Sequence, residues 1–229
     1  MTVNLGVNSY FMLIVLSLSL IIKGIMRLIC LFTIICVLQM GCKSQFVKKS
    51  MFNGKNLHGW KIYGTEKWYV DNGEIVAESG PDEEYGYLAT RRSYKDFILE
   101  LEFLQEMDGN SGVFFRSVLD GVDITGWQAE VAPPGNSTGG IYESNGRGWL
   151  VKPTTGGTNS LKMGEWNTMK ITAIDNMVKT TLNGRDLLEI SDSKIGEARG
   201  KIALQIHAGG NIKVRWRNIH IWTKDLEEL

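Results

Sequence analysis

Apolar and polar residues alternate through much of the chain after residue 60, and a period of two is typical of strands with one buried face. Residues 97–103 place an apolar side chain at every second position, with glutamates among the residues between them. Residues 127–131 and 201–207 alternate in the same way. Each segment is therefore predicted to be a half-buried strand whose second face is polar.

Turn signals join these segments into hairpins. Asn72-Gly73 and Asn183-Gly184 each separate two short alternating segments, and an Asn-Gly pair in that position favours a two-residue hairpin turn. In residues 212–222 the alternation shifts phase near Arg217-Asn218, which predicts a β-bulge.

About ten such strands and no convincing helical periodicity predict an all-β fold, a β-sandwich of the jelly-roll type with two packed antiparallel sheets. Residues 52–229 are long enough for one well-buried core, so a single domain is expected there. Residues 131–162 are rich in glycine and proline and lack a regular pattern. A long loop of this kind in a compact domain is usually functional.

The N-terminal part has a different pattern, that of an export signal. Arg27 precedes an apolar run that ends at Gly41-Cys42, although Gln39 stands where a lipoprotein signal usually has leucine. We expect residues 1–41 to be a lipoprotein signal segment, residues 42–51 a tether, and Cys42 the lipidated residue that attaches the protein to a membrane. An ordinary signal peptide and a retained transmembrane helix are the alternatives.

A second apolar run at residues 11–22 has two interpretations. Either Met26 is the true start and residues 1–25 are an over-long assignment, or the two runs form a helical hairpin in the membrane. The lipid anchor implies a bacterial cell envelope. Lys43-Ser44 is not an acidic surface-export run, so the periplasmic side is favoured.

The amino-acid composition excludes several classes of site and partner. Cys30, Cys36 and Cys42 are the three cysteines, and all precede the predicted domain, which excludes disulfides, cysteine catalysis and cysteine zinc sites there. The 25 basic and 25 acidic residues balance, so no nucleic-acid partner is indicated. Seven tryptophans suit a sugar-binding sheet, although most are expected to lie in the core. The oligomeric state is left open.

Seven short motifs follow one another through the predicted domain: FNGKNLHGW (52–60), NSGVFFR (110–116), GWQAEV (126–131), GGIYE (139–143), GEWN (164–167), LQIH (204–207) and RNI (217–219). In this order and spacing the set resembles the 3-keto-disaccharide hydrolase family. The resemblance covers about residues 52–224 and implies a concanavalin-like jelly-roll fold.

The resemblance also implies a reaction on sugars oxidised at C3. The ketone acidifies the hydrogen at C2, a base removes it, the enolate expels the substituent at C1, and water adds back. Such a site needs a base, a group that stabilises the enolate, and an acid for the leaving oxygen. A divalent metal could act as the stabiliser.

Four residues are candidates for catalysis. Glu130 and His207 lie on polar strand faces and could act as base, acid or metal ligand. Glu143, beside the long loop, is the second carboxylate. Arg116, inside an apolar strand, could polarise a carbonyl oxygen. The alternative in each case is an ordinary structural or solvated polar residue, and for Arg116 an ion pair with an acidic residue.

Five further residues are candidates for substrate binding. Gln128 shares a strand face with Glu130 and could hydrogen-bond sugar hydroxyls. Tyr142 and Trp149 could stack on a sugar, and Lys152 could neutralise an enolate. Asn110 could contact the sugar, although its main expected role is in the turn that precedes residue 111.

Two other functions compete with the enzyme. A non-catalytic carbohydrate-binding module or lectin would use aromatic platforms without a converging acid and base. A conventional retaining glycosidase needs two close carboxylates, and no Glu-x-Asp-x-x-Glu motif is present. No His-x-His or His-Glu-x-x-His element signals zinc, while a site built from His207 and carboxylates, or a loop calcium, stays open.

Overall fold

The computed structural model describes residues 17–18, 22–27, 45–154 and 160–224. The chain divides into two compact units, Met1–Ser44 and Gln45–Leu229. In the first unit the described residues are helical, and Cys42 with most of the predicted signal segment lies outside them. Within the described ranges, no helix has the length and apolar character needed to cross a membrane.

Strands are the main regular elements of the second unit. In its described residues they are β1 (Val47–Ser50), β2 (Trp60–Tyr63), β3 (Lys67–Asp71), β4 (Glu74–Glu78), β5 (Gly86–Thr90), β6 (Phe97–Gln105), β7 (Ser111–Asp120), β8 (Asp123–Val131), β9 (Ile141–Ser144), β10 (Gly148–Val151), β11 (Asn167–Ile174), β12 (Met177–Leu182), β13 (Arg185–Ser191), β14 (Lys201–Ile206) and β15 (Lys213–Thr223). A one-turn helix, α1 (Ser193–Glu197), precedes β14.

These strands form two antiparallel sheets. The eight-stranded sheet runs β13-β12-β11-β6-β15-β4-β3, and β1 pairs with the far half of β15. The seven-stranded sheet runs β10-β9-β8-β7-β14-β5-β2. The predicted β-sandwich with two packed antiparallel sheets is therefore confirmed.

The predicted hairpins and the bulge are also present. Asn72 and Gly73 have φ of 50° and 82°, and Asn183 and Gly184 have 50° and 78°, the left-handed pairs that a tight hairpin turn needs. The pairing of β15 with β6 shifts register between Arg217 and His220, where Asn218 has φ 51°. The predicted bulge lies at this shift.

Several strands did not show in the sequence pattern. Strand β5 is buried on both faces, so apolar and polar residues do not alternate along it. Strand β1 is polar and exposed and lies inside the predicted tether, while β9 and β10 lie inside the predicted long loop. Pairing with a neighbouring strand, rather than an apolar face, defines these elements.

Large apolar side chains fill the space between the sheets, and four of the seven tryptophans are among them: Trp60, Trp68, Trp127 and Trp216. A second, smaller apolar cluster lies on the outer face of the seven-stranded sheet. Its buried members are Tyr87, Ala89, Phe114, Ile124 and Ala203. The outer face of this sheet is thus partly apolar and partly polar, and the candidate site lies there.

Candidate active site

A cleft of about 480 Å³ opens on the outer face of the seven-stranded sheet. Its lining consists of Tyr85, Tyr87, Asn110, Phe114, Val122, Asp123, Ile124, Gln128, Glu130, Tyr142, Ser144, Asn145, Trp149, Gln205 and His207. The volume lies in the range typical of small-molecule pockets, roughly 300–1,000 Å³. Aromatic walls with a few converging polar groups are the usual composition of such a pocket.

Strand register brings the polar floor together. Tyr87, Gln205, Gly112 and Glu130 lie side by side on β5, β14, β7 and β8. Gly112 is required at its position because a Cβ there would lie 2.2 Å from Nε2 of Gln128. The missing side chain leaves room for the Gln128 amide to lie across β7.

Glu130 is the carboxylate at this floor, and only 6% of its surface is exposed. Its Oε1 accepts a hydrogen bond from Asn110 Nδ2 (2.5 Å), and its Oε2 accepts one from Gln128 Nε2 (2.8 Å). Burial raises the pKa of Glu130 to about 7, against the smaller opposing effects of the Asn110 hydrogen bond and the Lys152 charge. Near neutral pH this carboxyl can therefore both take and return a proton.

Side-chain amides connect Glu130 to the far side of the cleft. Gln128 Nε2 also lies 3.0 Å from Oε1 of Gln205. Gln205 in turn forms a hydrogen bond with the Tyr87 hydroxyl, and burial raises the pKa of Tyr87 to about 12. This connected network holds the carboxylate and both amides in fixed positions.

His207, directly after β14, forms one wall with Tyr85. The Tyr85 hydroxyl lies 3.1 Å from Nε2 of His207, and Nδ1 lies 2.8 Å from the carbonyl oxygen of Ala208. The His207 backbone N–H donates to the carbonyl oxygen of Asn110 (3.3 Å), the residue whose side chain binds Glu130. The imidazole, the phenol and the carboxyl therefore belong to one cleft.

The opposite wall is aromatic. Tyr142 on β9 and Trp149 on β10 pack edge to face with ring centroids 5.4 Å apart, and Trp149 is 39% exposed. Lys152 places Nζ 4.6 Å from the Trp149 ring centroid. Exposed aromatic rings beside a polar floor suit a ligand with apolar faces and many hydroxyl groups.

Arg116 does not line the cleft. Alternation would place it on the outer face with Phe114, but the register breaks there and Arg116 has φ 47°. The side chain instead donates through Nη1 to the carbonyl oxygens of Asp175 (3.0 Å) and Ile195 (2.5 Å), and Nη2 pairs with Asp96 at 3.1 Å. The buried guanidinium thus joins the two sheets, and the structure does not bring it together with the candidate residues of the cleft.

Glu143 also lies apart from the cleft. It is in strand β9 and on the face opposite Tyr142, where it forms ion pairs with Arg147 and Lys194. Burial opposes its ionisation, yet the hydrogen bonds from Lys194 and Arg147 outweigh that effect and lower its pKa. A carboxylate held in this way is a poor base, and the structure does not bring Glu143 together with Glu130 and His207 in the cleft.

The cleft also contains residues that sequence reasoning did not select, above all Tyr85 and Tyr87. Tyr85 follows the polar run Pro81–Glu84, and no periodicity there signals a site. Tyr87 lies in the fully buried β5, where alternation is absent. The alternation of residues 201–207 does place Gln205 on the same strand face as His207.

Metal ligands are not clustered in the part of the chain that the structure describes. Within it, no group of three or more His, Cys, Asp or Glu side chains is placed to hold a metal ion.

Comparison with known proteins identifies the domain. A sequence model of the 3-keto-alpha-glucoside-1,2-lyase-like domain matches residues 47–222. These residues run from the first residue of β1 to the last but one of β15. No curated protein is similar enough to count as a match.

Solved structures share the architecture. A candidate glycosyl hydrolase from Parabacteroides distasonis is 22% identical, with a TM-score of 0.58, over 78% of this chain and 94% of that one. The carbohydrate-binding module CBM66 from Bacillus subtilis is 16% identical, with a TM-score of 0.60, over 75% and 99%. A Bacillus subtilis protein with a galectin-like fold is 16% identical, with a TM-score of 0.60, over 72% and 89%. Likenesses at these identities establish a shared fold alone.

Proposed function

We propose that this protein, which belongs to the 3-keto-alpha-glucoside-1,2-lyase-like family, cleaves the glycosidic bond of sugars oxidised at C3 by elimination followed by hydration. The family supports a carbohydrate-related function. The observation that carries the finer proposal is Glu130, a carboxyl with a pKa of about 7 at the floor of a polar, aromatic-walled cleft.

Elimination suits such a carboxyl. A general base works best when its pKa lies near the pH at which it operates, and Glu130 meets that condition at neutral pH. Its carboxylate removes the C2 proton, and the electron pair of the C–H bond moves into an enolate on the C3 oxygen. Collapse of the enolate forms the C1–C2 double bond and breaks the bond from C1 to the leaving oxygen.

The same residue serves the second half of the reaction. Water adds to C1 of the unsaturated ketone and gives up one proton to solvent, while Glu130, now protonated, returns a proton to C2. The ketone at C3 is unchanged, so the net reaction is hydrolysis. The hydrogen bonds from Asn110 and Gln128 keep the carboxyl oriented through both steps.

The neighbouring groups fit the substrate. The charge of Lys152 lowers the pKa of Glu130, so Lys152 lies close enough to stabilise the negative charge of an enolate formed beside Glu130. Tyr142 and Trp149 offer ring faces and edges for a sugar, and Gln205 is already held by the amide network.

The experiment compares 3-keto-glucosides with their unoxidised parents, using the purified full-length chain. We expect cleavage of the keto sugars alone. In D₂O, deuterium should appear at C2 of the released 3-keto sugar, because the proton on the Glu130 carboxyl exchanges with solvent before it is returned. Glu130→Gln should lose about 100-fold or more in kcat/KM, whereas Glu102→Gln, on the eight-stranded sheet, should not.

Other results would refute the proposal. Cleavage of the unoxidised parents at a similar rate would exclude the elimination. Sugar binding without cleavage of any substrate would identify a carbohydrate-binding protein.

We also propose that the protein is attached to a bacterial cell envelope through lipid on Cys42, on the strength of its sequence alone. Labelled palmitate should enter the wild-type chain and not Cys42→Ser. Equal labelling of the two chains would overturn the assignment.

A further inference from the structure

The proposed elimination leaves one requirement without a residue, the acid for the leaving oxygen. Glu130 is occupied by the C2 proton and cannot supply a second one at the same time. The pair formed by Tyr85 and His207 lines the same cleft and has no part in the steps above. The two rings are in contact, with centroids 4.7 Å apart and planes inclined by 59°.

Hydrogen bonding fixes how this imidazole holds its protons. The carbonyl oxygen of Ala208 can only accept, so Nδ1 of His207 must carry a proton. In the neutral ring, Nε2 is then the acceptor and the Tyr85 hydroxyl donates to it. In the doubly protonated ring, Nε2 donates to the Tyr85 oxygen, and the phenolic proton turns toward the cleft.

We propose that Tyr85 is the acid that protonates the leaving oxygen and that His207 replaces the proton through Nε2. The relay rests on the proposed function, because it supplies the acid that the elimination requires. It assigns a catalytic role to Tyr85 and a specific proton, the one on Nε2, to His207.

The step balances in atoms and charge. As the bond between C1 and the leaving oxygen breaks, its electron pair stays on that oxygen and takes the phenolic proton. The phenolic oxygen takes the proton from Nε2, and His207 becomes neutral with Nδ1–H still bound to Ala208. The ring regains its second proton from solvent before the next turnover.

The surroundings of Tyr85 favour a relay over a free phenol. Burial raises the pKa of Tyr85, and the facing Tyr142 and the neighbouring Glu84 raise it further. Such a hydroxyl holds its proton at neutral pH and is a weak acid by itself. Transfer becomes favourable when a cationic imidazole replaces the proton in the same step.

The position in the cleft suits the role. The backbone of His207 is hydrogen-bonded to Asn110, whose side chain holds Glu130, so the base is linked to Tyr85 through two residues, Asn110 and His207. Tyr142 faces Tyr85 from β9 on the opposite wall. A sugar between the walls has the base beneath it and the phenol at one side.

The test varies the leaving group. A 3-keto-glucoside with a 4-nitrophenyl leaving group needs no acid, whereas one with a sugar leaving group does. We expect Tyr85→Phe to lower kcat/KM for the keto-disaccharide about 100-fold and for the nitrophenyl compound less than about threefold. A loss of packing or binding would affect both substrates alike.

Two further variants sharpen the result. His207→Gln should show the same dependence on the leaving group, and the double variant should fall no further than either single one, because both residues act on one proton. Tyr69→Phe is the matched control: its hydroxyl binds Glu78 on the eight-stranded sheet, and its loss should change neither rate.

The outcomes separate the relay from the proposed function. If the wild-type chain cleaves neither keto substrate, the elimination is refuted and the relay with it. If it cleaves both and Tyr85→Phe leaves both rates unchanged, or lowers both equally, the relay is overturned and the elimination stands. Additive losses in the double variant would also overturn it.

Discussion

Replacing Glu130 by glutamine should change how the stability of the protein depends on pH. The pKa of Glu130 is raised from 4.5 to about 7 by burial. One pKa unit corresponds to 1.36 kcal/mol, so ionising this carboxyl in the folded protein costs about 3 kcal/mol more than in the unfolded chain. That cost is the magnitude to be measured.

The sign follows from the raised pKa. Between pH 4.5 and 7 the folded protein binds the Glu130 proton more tightly than the unfolded chain, so this contribution to stability is complete below pH 4.5 and is lost as pH rises through 7. The glutamine side chain of the variant does not ionise. The free energy of unfolding of Glu130→Gln minus that of the wild type should therefore rise by about 3 kcal/mol between pH 4 and pH 8.

Urea denaturation followed by tryptophan fluorescence at several pH values measures this difference directly. Constant effects, such as the mismatch of a glutamine amide with the Asn110 and Gln128 donors, cancel in the pH dependence. A difference that stays constant within about 1 kcal/mol would refute the raised pKa, and with it the basis for Glu130 as a base near neutral pH.

Glu102 supplies a control of opposite sign. Burial disfavours its ionised form, but hydrogen bonds from Asn218 and Arg217 prevail and lower its pKa. Its stabilisation is present above pH 4.5 and is lost in more acid solution. Glu102→Gln should therefore be most destabilising near neutral pH. If its free energy of unfolding relative to the wild type instead rose with pH as for Glu130→Gln, the pH dependence would come from the denaturation method and not from the Glu130 carboxyl.

Three other substitutions test the cleft and its surroundings. Gly112→Ala should displace the Gln128 amide, because the new Cβ would lie 2.2 Å from its Nε2. We expect a lower kcat/KM and a free energy of unfolding lower by about 1–3 kcal/mol in urea denaturation, and full activity would contradict the close approach. Arg116→Met should lower the free energy of unfolding by about 3 kcal/mol, because Asp96 loses its buried partner, while the cleavage rate per folded molecule stays near that of the wild type. A loss of cleavage rate without loss of stability would support the catalytic role predicted for Arg116. Trp149→Ala should raise KM severalfold with little change in melting temperature, since Trp149 is 39% exposed. An unchanged KM would exclude Trp149 from substrate binding.

The alternation of apolar and polar residues in the sequence was enough to predict which polar residues share a strand face at the floor of the cleft. A period of two puts Gln128 with Glu130, and Gln205 with His207, on the same faces of their strands, and the structure places all four in one cleft. That inference holds because these strands are half-buried and regular up to the cleft. Which strands would be neighbours was not readable, since sheet order is set by long-range pairing.

Three residues lie where the sequence pattern did not predict them, and each has a local structural cause. Arg116 follows regular alternation in the sequence, but a break in register turns it to the other side of the sheet. Glu143 looked like a loop residue, yet pairing with β8 and β10 makes it part of a strand and points it away from Tyr142. Tyr85 lies in a polar connection, and only its contact with His207 shows its place.

The arrangement of carboxylates separates the proposed elimination from ordinary glycoside hydrolysis. Among the described residues, Glu130 and Asp123 are the carboxylates that line the cleft, and both are in β8. Seven positions along a strand at about 3.4 Å each separate their backbones by roughly 24 Å. Retaining and inverting glycosidases need two carboxyl groups within about 5–10 Å. Elimination from a 3-keto sugar needs one carboxylate and a separate acid, the roles that we propose for Glu130 and the Tyr85–His207 pair in this cleft.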